Sequence, residues 1–254
     1  LNNAYGQGLN DAFAERFTAE GGTVTAQVPH EQEQASYASE LATCTADDPD
    51  VLVAIGYPES AGVFLRELLE AGDPPALLLS DGIRSEELFA ELGWESFAGT
   101  VGTSAGAAES EESTAFVTAY EEAYGPMASV PYLREVYDAV YLIAAAAQLA
   151  GANDAASVAA GLQAVASAPG TQFSGGVEGW QAAVAALEAG EDIDYVGASG
   201  PVDLDDAGDV SLGAITVWVV EGEEIVVRET RDIDLTGDAD AEGGDEDAEA
   251  TPAA

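Results

Sequence analysis

Three side chains in this sequence stand where a small cation could be held: Tyr5, Tyr57 and Asp81. Asp81 lies in Ser80-Asp81-Gly82, directly after the apolar run Ala76 to Leu79. Tyr57 lies in Gly56-Tyr57-Pro58, directly after the apolar run Val51 to Ile55. Tyr5 stands in Leu1-Asn2-Asn3-Ala4-Tyr5-Gly6, a turn that runs straight into a helical pattern. In an open parallel sheet, ligands sit in the crevice beyond the carboxyl ends of the strands, so residues that immediately follow strands share one edge. Two aromatic faces and one carboxylate there suit a small cation or the ammonium of an amino acid. A charge-assisted hydrogen bond contributes roughly 1.5–3 kcal/mol and a cation–π contact about 0.5–2. Taken singly, each residue has a plain structural use: a Tyr at a strand end is an amphipathic edge residue, and an Asp before Gly forms turns. Their convergence on one edge is what singles them out.

The elements that must position them alternate. A helix is expected over Tyr5 to Glu20, with Leu9, Phe13 and Phe17 on one face and Gly21-Gly22 as its stop. The alternating, β-branched run Thr23 to Val28 predicts a strand, and Tyr37 to Ala46 a helix. Val51 to Ile55 predicts a buried strand, Pro58 to Ala71 a helix ended by Gly72, and Ala76 to Leu79 a second buried strand. Ser85 caps a helix to Leu92, and Gly99 to Thr103 reads as a strand. Strands and helices taking turns over short links imply a parallel sheet with helices on both faces. Beyond Ser104 the pattern becomes helical: Thr114 to Tyr124, an apolar and therefore buried Tyr132 to Ala150, Ser157 to Ala166, an irregular stretch from Ala168 to Glu178, and Trp180 to Ala189. Ile215 to Val220 and Glu224 to Glu229 form a hairpin around Glu221-Gly222-Glu223, and a hairpin after a helical block suggests a chain that returns to a sheet it left earlier. After Leu235 only Gly, Ala, Asp, Glu, Thr and Pro follow, which predicts a disordered acidic tail over 236–254.

Charge narrows the function classes. The 254 residues carry 48 Asp plus Glu against six Arg, with no Lys, for a formal charge of −42 at 47% apolar composition. Self-repulsion at this density is relieved by screening, whose length falls from about 10 Å at 0.1 M salt to about 3 Å at 1 M. The apolar runs argue for a folded core, so the expectation is a halophilic globular protein. Nucleic acid and acidic membrane surfaces would be repelled, and the arginines are scattered rather than clustered. One cysteine, Cys44, excludes an internal disulfide and a cysteine metal cage; it reads as a buried filler. His30 is the only histidine, which excludes a multi-histidine metal site and leaves no Ser–His–Asp arrangement with a Gly-x-Ser-x-Gly elbow. Asp203 to Asp209 resembles a calcium loop only superficially, because Ala214 occupies the twelfth position where Glu is required; it reads as a solvated turn. No cofactor is expected.

Asn3-Ala-Tyr-Gly-Gln-Gly-Leu, Val53-Ala-Ile-Gly-Tyr-Pro-Glu, Ser80-Asp-Gly and Gly197-Ala-Ser-Gly-Pro-Val-Asp-Leu-Asp resemble, in order, the substrate-binding components of ABC transporters for branched-chain amino acids and related amides. The resemblance runs from Leu1 to about Arg231. It implies the two-lobed α/β fold of type I periplasmic binding proteins, with lobes that close on a ligand. In that frame residues 1–103 are the main part of the second lobe, 104–210 return to the first, and 211–235 cross back. It further implies that Tyr5 and Tyr57 are pocket tyrosines and that Asp81, one methylene shorter than the family's common Glu, takes the α-ammonium. The first lobe normally begins well before Leu1, so it is incomplete here and the chain is expected to be the C-terminal part of a longer protein, lipid-anchored outside the cell through its N-terminus. The implied partners are a small amino acid or amide and a membrane permease. A ligand-sensing receptor domain of the same fold is the alternative; an amide hydrolase is a third class, for which no nucleophile–base pair stands out.

Overall fold

The computed structural model describes residues 1–107, 109–127, 131–167, 169–205 and 207–234; the expected tail over 236–254 lies outside the described residues. Helix α1 (Ala4–Ala19) starts where the Asn3 side chain accepts a hydrogen bond from the Gly6 amide, satisfying a donor that the first turn leaves without a partner. After α2 (Ala38–Cys44) the chain alternates: β1 (Val51–Ala54), α3 (Pro58–Ala71), β2 (Ala76–Leu79), α4 (Glu86–Leu92) and β3 (Val101–Gly106). Pro58 opens α3, where its missing N–H and fixed φ cost nothing, and the Ser85 hydroxyl caps α4 by accepting from the Leu88 amide.

Helices α5 (Glu111–Tyr124), α6 (Leu133–Ala150) and α7 (Ala155–Ala166) come next. They lead to β4 (Thr171–Phe173), α8 (Val177–Ala189), β5 (Ile193–Gly197) and β6 (Gly200–Pro201). The chain then returns as a long hairpin, β7 (Leu212–Glu221) and β8 (Glu224–Asp234). Two sheets result. One has the order β1-β2-β3-β7-β8, parallel from β1 to β3 and antiparallel thereafter; the other is β4-β5-β6.

Each sheet has its own core. Phe64, Leu65, Phe89, Phe97, Trp218 and Val220 fill the first, and Ala145, Ala146, Val165, Phe173, Ile193 and Tyr195 the second. Trp94 and Trp180 pack against these two cores respectively. Trp218 lies so close over β3 that a Cβ on Gly102 would fall 2.1 Å from its ring. Glycine is therefore required there to seat β7 beside β3.

Four expectations need correction. Thr23 to Val28 is extended but forms no strand; a strand requires a hydrogen-bonded neighbour, and among the described residues none lies beside it. Helix α6 is not buried along its length: Val136, Val140 and Ile143 are 62%, 60% and 52% exposed, because only its opposite face meets α7 and β5. The irregular stretch after Ala168 contains β4, and Ile193–Gly197, given no element, is a strand. Both are short, and β4 is apolar only at Phe173, so periodicity has little to register. The final hairpin is longer at both ends than its apolar centre, since β8 beyond Val227 is a largely exposed, charged edge strand.

Candidate functional site

The structure brings Tyr5, Tyr57 and Asp81 together. Tyr57 precedes α3 in extended backbone, and its ring stacks on that of Tyr5, with centroids 5.5 Å apart and planes 17° from parallel. Asp81 begins a 3₁₀ turn, Asp81–Ile83, directly after β2. Close approach of the three segments rests on Gly82: a Cβ there would sit 2.3 Å from the Gly56 carbonyl oxygen, 3.0 Å from the Tyr57 ring and 3.2 Å from Tyr5 Oη. Any side chain at 82 would push these segments apart.

Asp81 is the electrostatic centre. Tyr5 Oη lies 2.8 Å from Asp81 Oδ1 and 3.0 Å from Ser80 Oγ. A phenol has one proton; the carboxylate takes it, which leaves the Ser80 hydroxyl to donate toward Tyr5. Asp81 Oδ2 accepts a second phenol, that of Tyr132, at 2.6 Å. Burial, with the neighbouring Asp81 charge adding to it, pushes Tyr5 up to about 12 and holds Tyr132 well above the ordinary phenol range. Both are therefore donors at any working pH, aimed at the Asp81 carboxylate.

Tyr132 was not among the sequence candidates. It lies just before α6 rather than after a strand, so the strand-end rule passes over it. It belongs to the part of the chain that builds the second sheet, so its bond to Asp81 joins the two units. Its backbone is left-handed, φ 70° and ψ 8°. That conformation is costly for a bulky L-residue and is held only where surrounding structure fixes it. Ser80, fully inside the candidate motif, is the second partner that composition alone did not mark as a ligand-facing group.

A further link runs from this loop to two neighbouring strands of the first sheet. Arg84 Nη1 donates to Ser104 Oγ at 2.9 Å, and Ser104 shares a hydrogen bond of 2.9 Å with Thr216 Oγ1. Thus the loop that carries Asp81 is tied to β3 and β7 at once. Among the described residues no group of His, Cys, Asp and Glu could hold a metal ion. The acidic run near Asp205 is a turn in which Asp205 Oδ1 accepts from the amides of Ala207 and Asp209. No described helix is long and apolar enough to cross a membrane.

Several known proteins share this arrangement of elements. A leucine-binding protein, LivK, of Thermotoga maritima superposes with a TM-score of 0.68 at 23% identity, covering 90% of this chain and 57% of that one. LivJ of Streptococcus pneumoniae, a branched-chain amino acid transporter substrate-binding protein in complex with isoleucine, gives 0.64 at 18% identity, covering 91% and 57%. The chain is 27% identical over 247 residues to BasB of Halobacterium salinarum, a substrate-binding protein of a chemotactic signal transduction system, covering 96% of this chain and 55% of that protein. It therefore spans little more than half the length of these relatives. The fold is that of type I periplasmic binding proteins. The sequence profile of the periplasmic binding protein family matches residues 1–178, and this chain belongs to that family.

Proposed function

We propose that the chain is part of an extracellular solute-binding protein that takes up a small amino acid of the branched-chain type, or a related amide, and hands it to the permease of an ABC importer. The observation that carries this reading is Asp81. Its two carboxylate oxygens are each held by one phenol, from Tyr5 in one unit and Tyr132 in the other, with the stacked Tyr5–Tyr57 pair beside them. A ligand ammonium on Asp81 would meet charge and aromatic faces together. The mechanism is closure: a ligand that touches both units biases an open–closed equilibrium by no more than its differential affinity for the two states. No catalytic step belongs to this reading. The charge of −42 suits work in concentrated salt.

A receptor role is the second reading, favoured by one specific observation, the similarity to BasB, which serves a chemotactic signal transduction system. The pocket chemistry is common to both readings; the partner differs.

Calorimetric titration in multimolar KCl with leucine, isoleucine, valine, acetamide and benzoate tests the pocket. An amino acid is expected to bind, and Asp81→Ala to weaken it by roughly 3–5 kcal/mol, as when one member of a buried ion pair is removed. Preference for benzoate, an anion without an ammonium, or an Asp81→Ala affinity within about threefold of the parent, under about 0.7 kcal/mol, would sink the assignment of Asp81.

A further inference from the structure

The turn that carries Asp81 is held at three points. Ile83 is fully buried in the first core, and its amide donates to the Ser80 carbonyl at 3.1 Å. Gly82 lies against the Gly56 carbonyl. Arg84 is the third point: its amide closes the turn on the Asp81 carbonyl at 3.1 Å, and its guanidinium reaches on to Ser104 of β3. This is an unusual use of a cation in this chain. Arg16, Arg66, Arg228 and Arg231 pair with carboxylates at the surface. Arg84 is instead partly buried, and that burial lowers its pKa from the ordinary guanidinium value, with Glu86 opposing. Burying a charge is costly unless hydrogen bonds receive it.

A pair of buried hydroxyls receives it. Ser104 and Thr216 stand directly opposite each other on β3 and β7. Arg84 Nη1 donates to Ser104 Oγ at 2.9 Å. The serine proton is then free for Thr216 Oγ1 at 2.9 Å, and the threonine proton for the Ser104 carbonyl at 3.3 Å. Gly106 makes room for the threonine, since a Cβ there would fall 2.5 Å from Thr216 Cγ2. On the same face of this strand pair, Trp218 closes over Gly102. β2 pairs with β3 only as far as Leu79 and Gly102, so Ser104 lies beyond the end of β2, where the turn begins. The chain leaves the first sheet after β3 and re-enters it at β7. Arg84 thus joins the Asp81 turn to the exit and the return at one place.

We propose that Arg84 is a positioning residue for ligand binding: it locks the Asp81 turn to the β3–β7 pair, so that the carboxylate keeps a fixed place relative to the segments leading to the second sheet. The proposal rests on the reading of Asp81 as a ligand contact. Arg84 acts through the turn rather than on the ligand. A carboxylate on a loose turn must be ordered as the ligand binds, and that ordering weakens binding.

Two substitutions remove the same bond from its two ends. Arg84→Met keeps the apolar stem and removes the donor; Ser104→Ala removes the acceptor. In multimolar KCl and without ligand, hydrogen exchange of the amides at positions 83 and 84 is expected to rise about tenfold or more in each, as loss of a hydrogen bond to a charged group allows. The Ala76 amide, bonded to Asp50 at the start of β2, should keep its rate. The double variant should go no further than the larger single effect, because one bond is lost in all three. Calorimetry with leucine should show affinity about tenfold weaker in the same variants. Unchanged exchange at 83 and 84, or effects that add in the double variant, would overturn the proposal. So would faster exchange with leucine affinity within about threefold of the parent, which would make the bond one of stability alone. If Arg84→Met does not fold, Ser104→Ala carries the same test. A parent chain that binds no amino acid strikes the reading of Asp81 instead, and the exchange rates still decide whether Arg84 holds the turn.

Discussion

Asp81 and Asp138 are both aspartates that hold tyrosines, and they have opposite consequences. Asp138 lies on α6 and is 1% exposed. It accepts from Tyr195 Oη at 2.7 Å, the Ala198 amide at 2.8 Å, the Ser199 amide at 2.7 Å and Ser199 Oγ at 2.6 Å. Four donors fill its acceptor capacity, and a Cβ on Gly197 would lie 2.5 Å from Oδ2, so the turn from β5 to β6 is closed down on the carboxylate. Asp81 accepts two phenols and is only partly buried. A saturated carboxylate ties an element in place; Asp81, with two phenol donors beside stacked rings, is the one proposed to meet a ligand. The residue type is identical, and the donor count separates the two.

The contrast breaks most visibly at Asp138. Asp138→Ala leaves one buried and one part-buried amide without their charged acceptor, at about 1–3 kcal/mol each, so denaturant titration should show a loss of roughly 3–5 kcal/mol. Asp81→Ala, whose partners can turn to water, should stay within about 1 kcal/mol of the parent in the same titration while losing ligand affinity. Equal destabilisation by the two would erase the distinction.

Tyr132 sharpens the Asp81 side. Tyr132→Phe removes one hydrogen bond to the carboxylate from a half-exposed phenol. We expect about 1 kcal/mol, or roughly fivefold weaker amino-acid binding by calorimetry, with unfolding little changed. Tighter binding in the variant would mean that the phenol competes with ligand for Asp81 rather than assisting it.

The smallest effect concerns pH. His30 packs edge-on to Tyr37 and Phe64, and its Nε2 is buried without a hydrogen-bond partner. Burial lowers its pKa, while Glu40 and Glu31 partly oppose the shift. A lowered histidine pKa means that the unfolded chain binds the proton first. The stabilising contribution is complete above the ordinary value of about 6.5 and is lost as pH falls from there through the native pKa. His30→Phe should therefore flatten thermal stability between about pH 7 and 5 relative to the parent. Parallel curves would show that His30 is not the group responsible.

Much of this arrangement was legible in the residues. The apolar runs of β1 and β2 followed by Gly56-Tyr57-Pro58 and Ser80-Asp81-Gly82 placed two candidate side chains at one sheet edge, because a parallel strand must end where its connection begins. Tyr5 followed from the same logic at Asn3. Tyr132 did not: it is joined to Asp81 by 51 positions of intervening chain and by a left-handed backbone that no periodicity announces. The alternation of Thr23 to Val28 marked a strand correctly in conformation and wrongly in pairing. Local pattern sets φ and ψ, whereas a ladder needs a second chain segment at the right distance. Similarly, the apolar length of α6 announced a buried helix, yet which of its faces is covered depends on what packs there.

The sequence by itself determined the alternation of strands and helices from α1 to β3, the absence of an internal disulfide and the candidate edge with its carboxylate. These follow from short-range periodicity, composition and charge, which need no knowledge of distant neighbours. Only the tertiary structure decided that Asp81 is held by both Tyr5 and Tyr132 and that Asp138 is saturated. Those are questions of which groups from far apart in the chain meet, and donor–acceptor satisfaction exists only once they do.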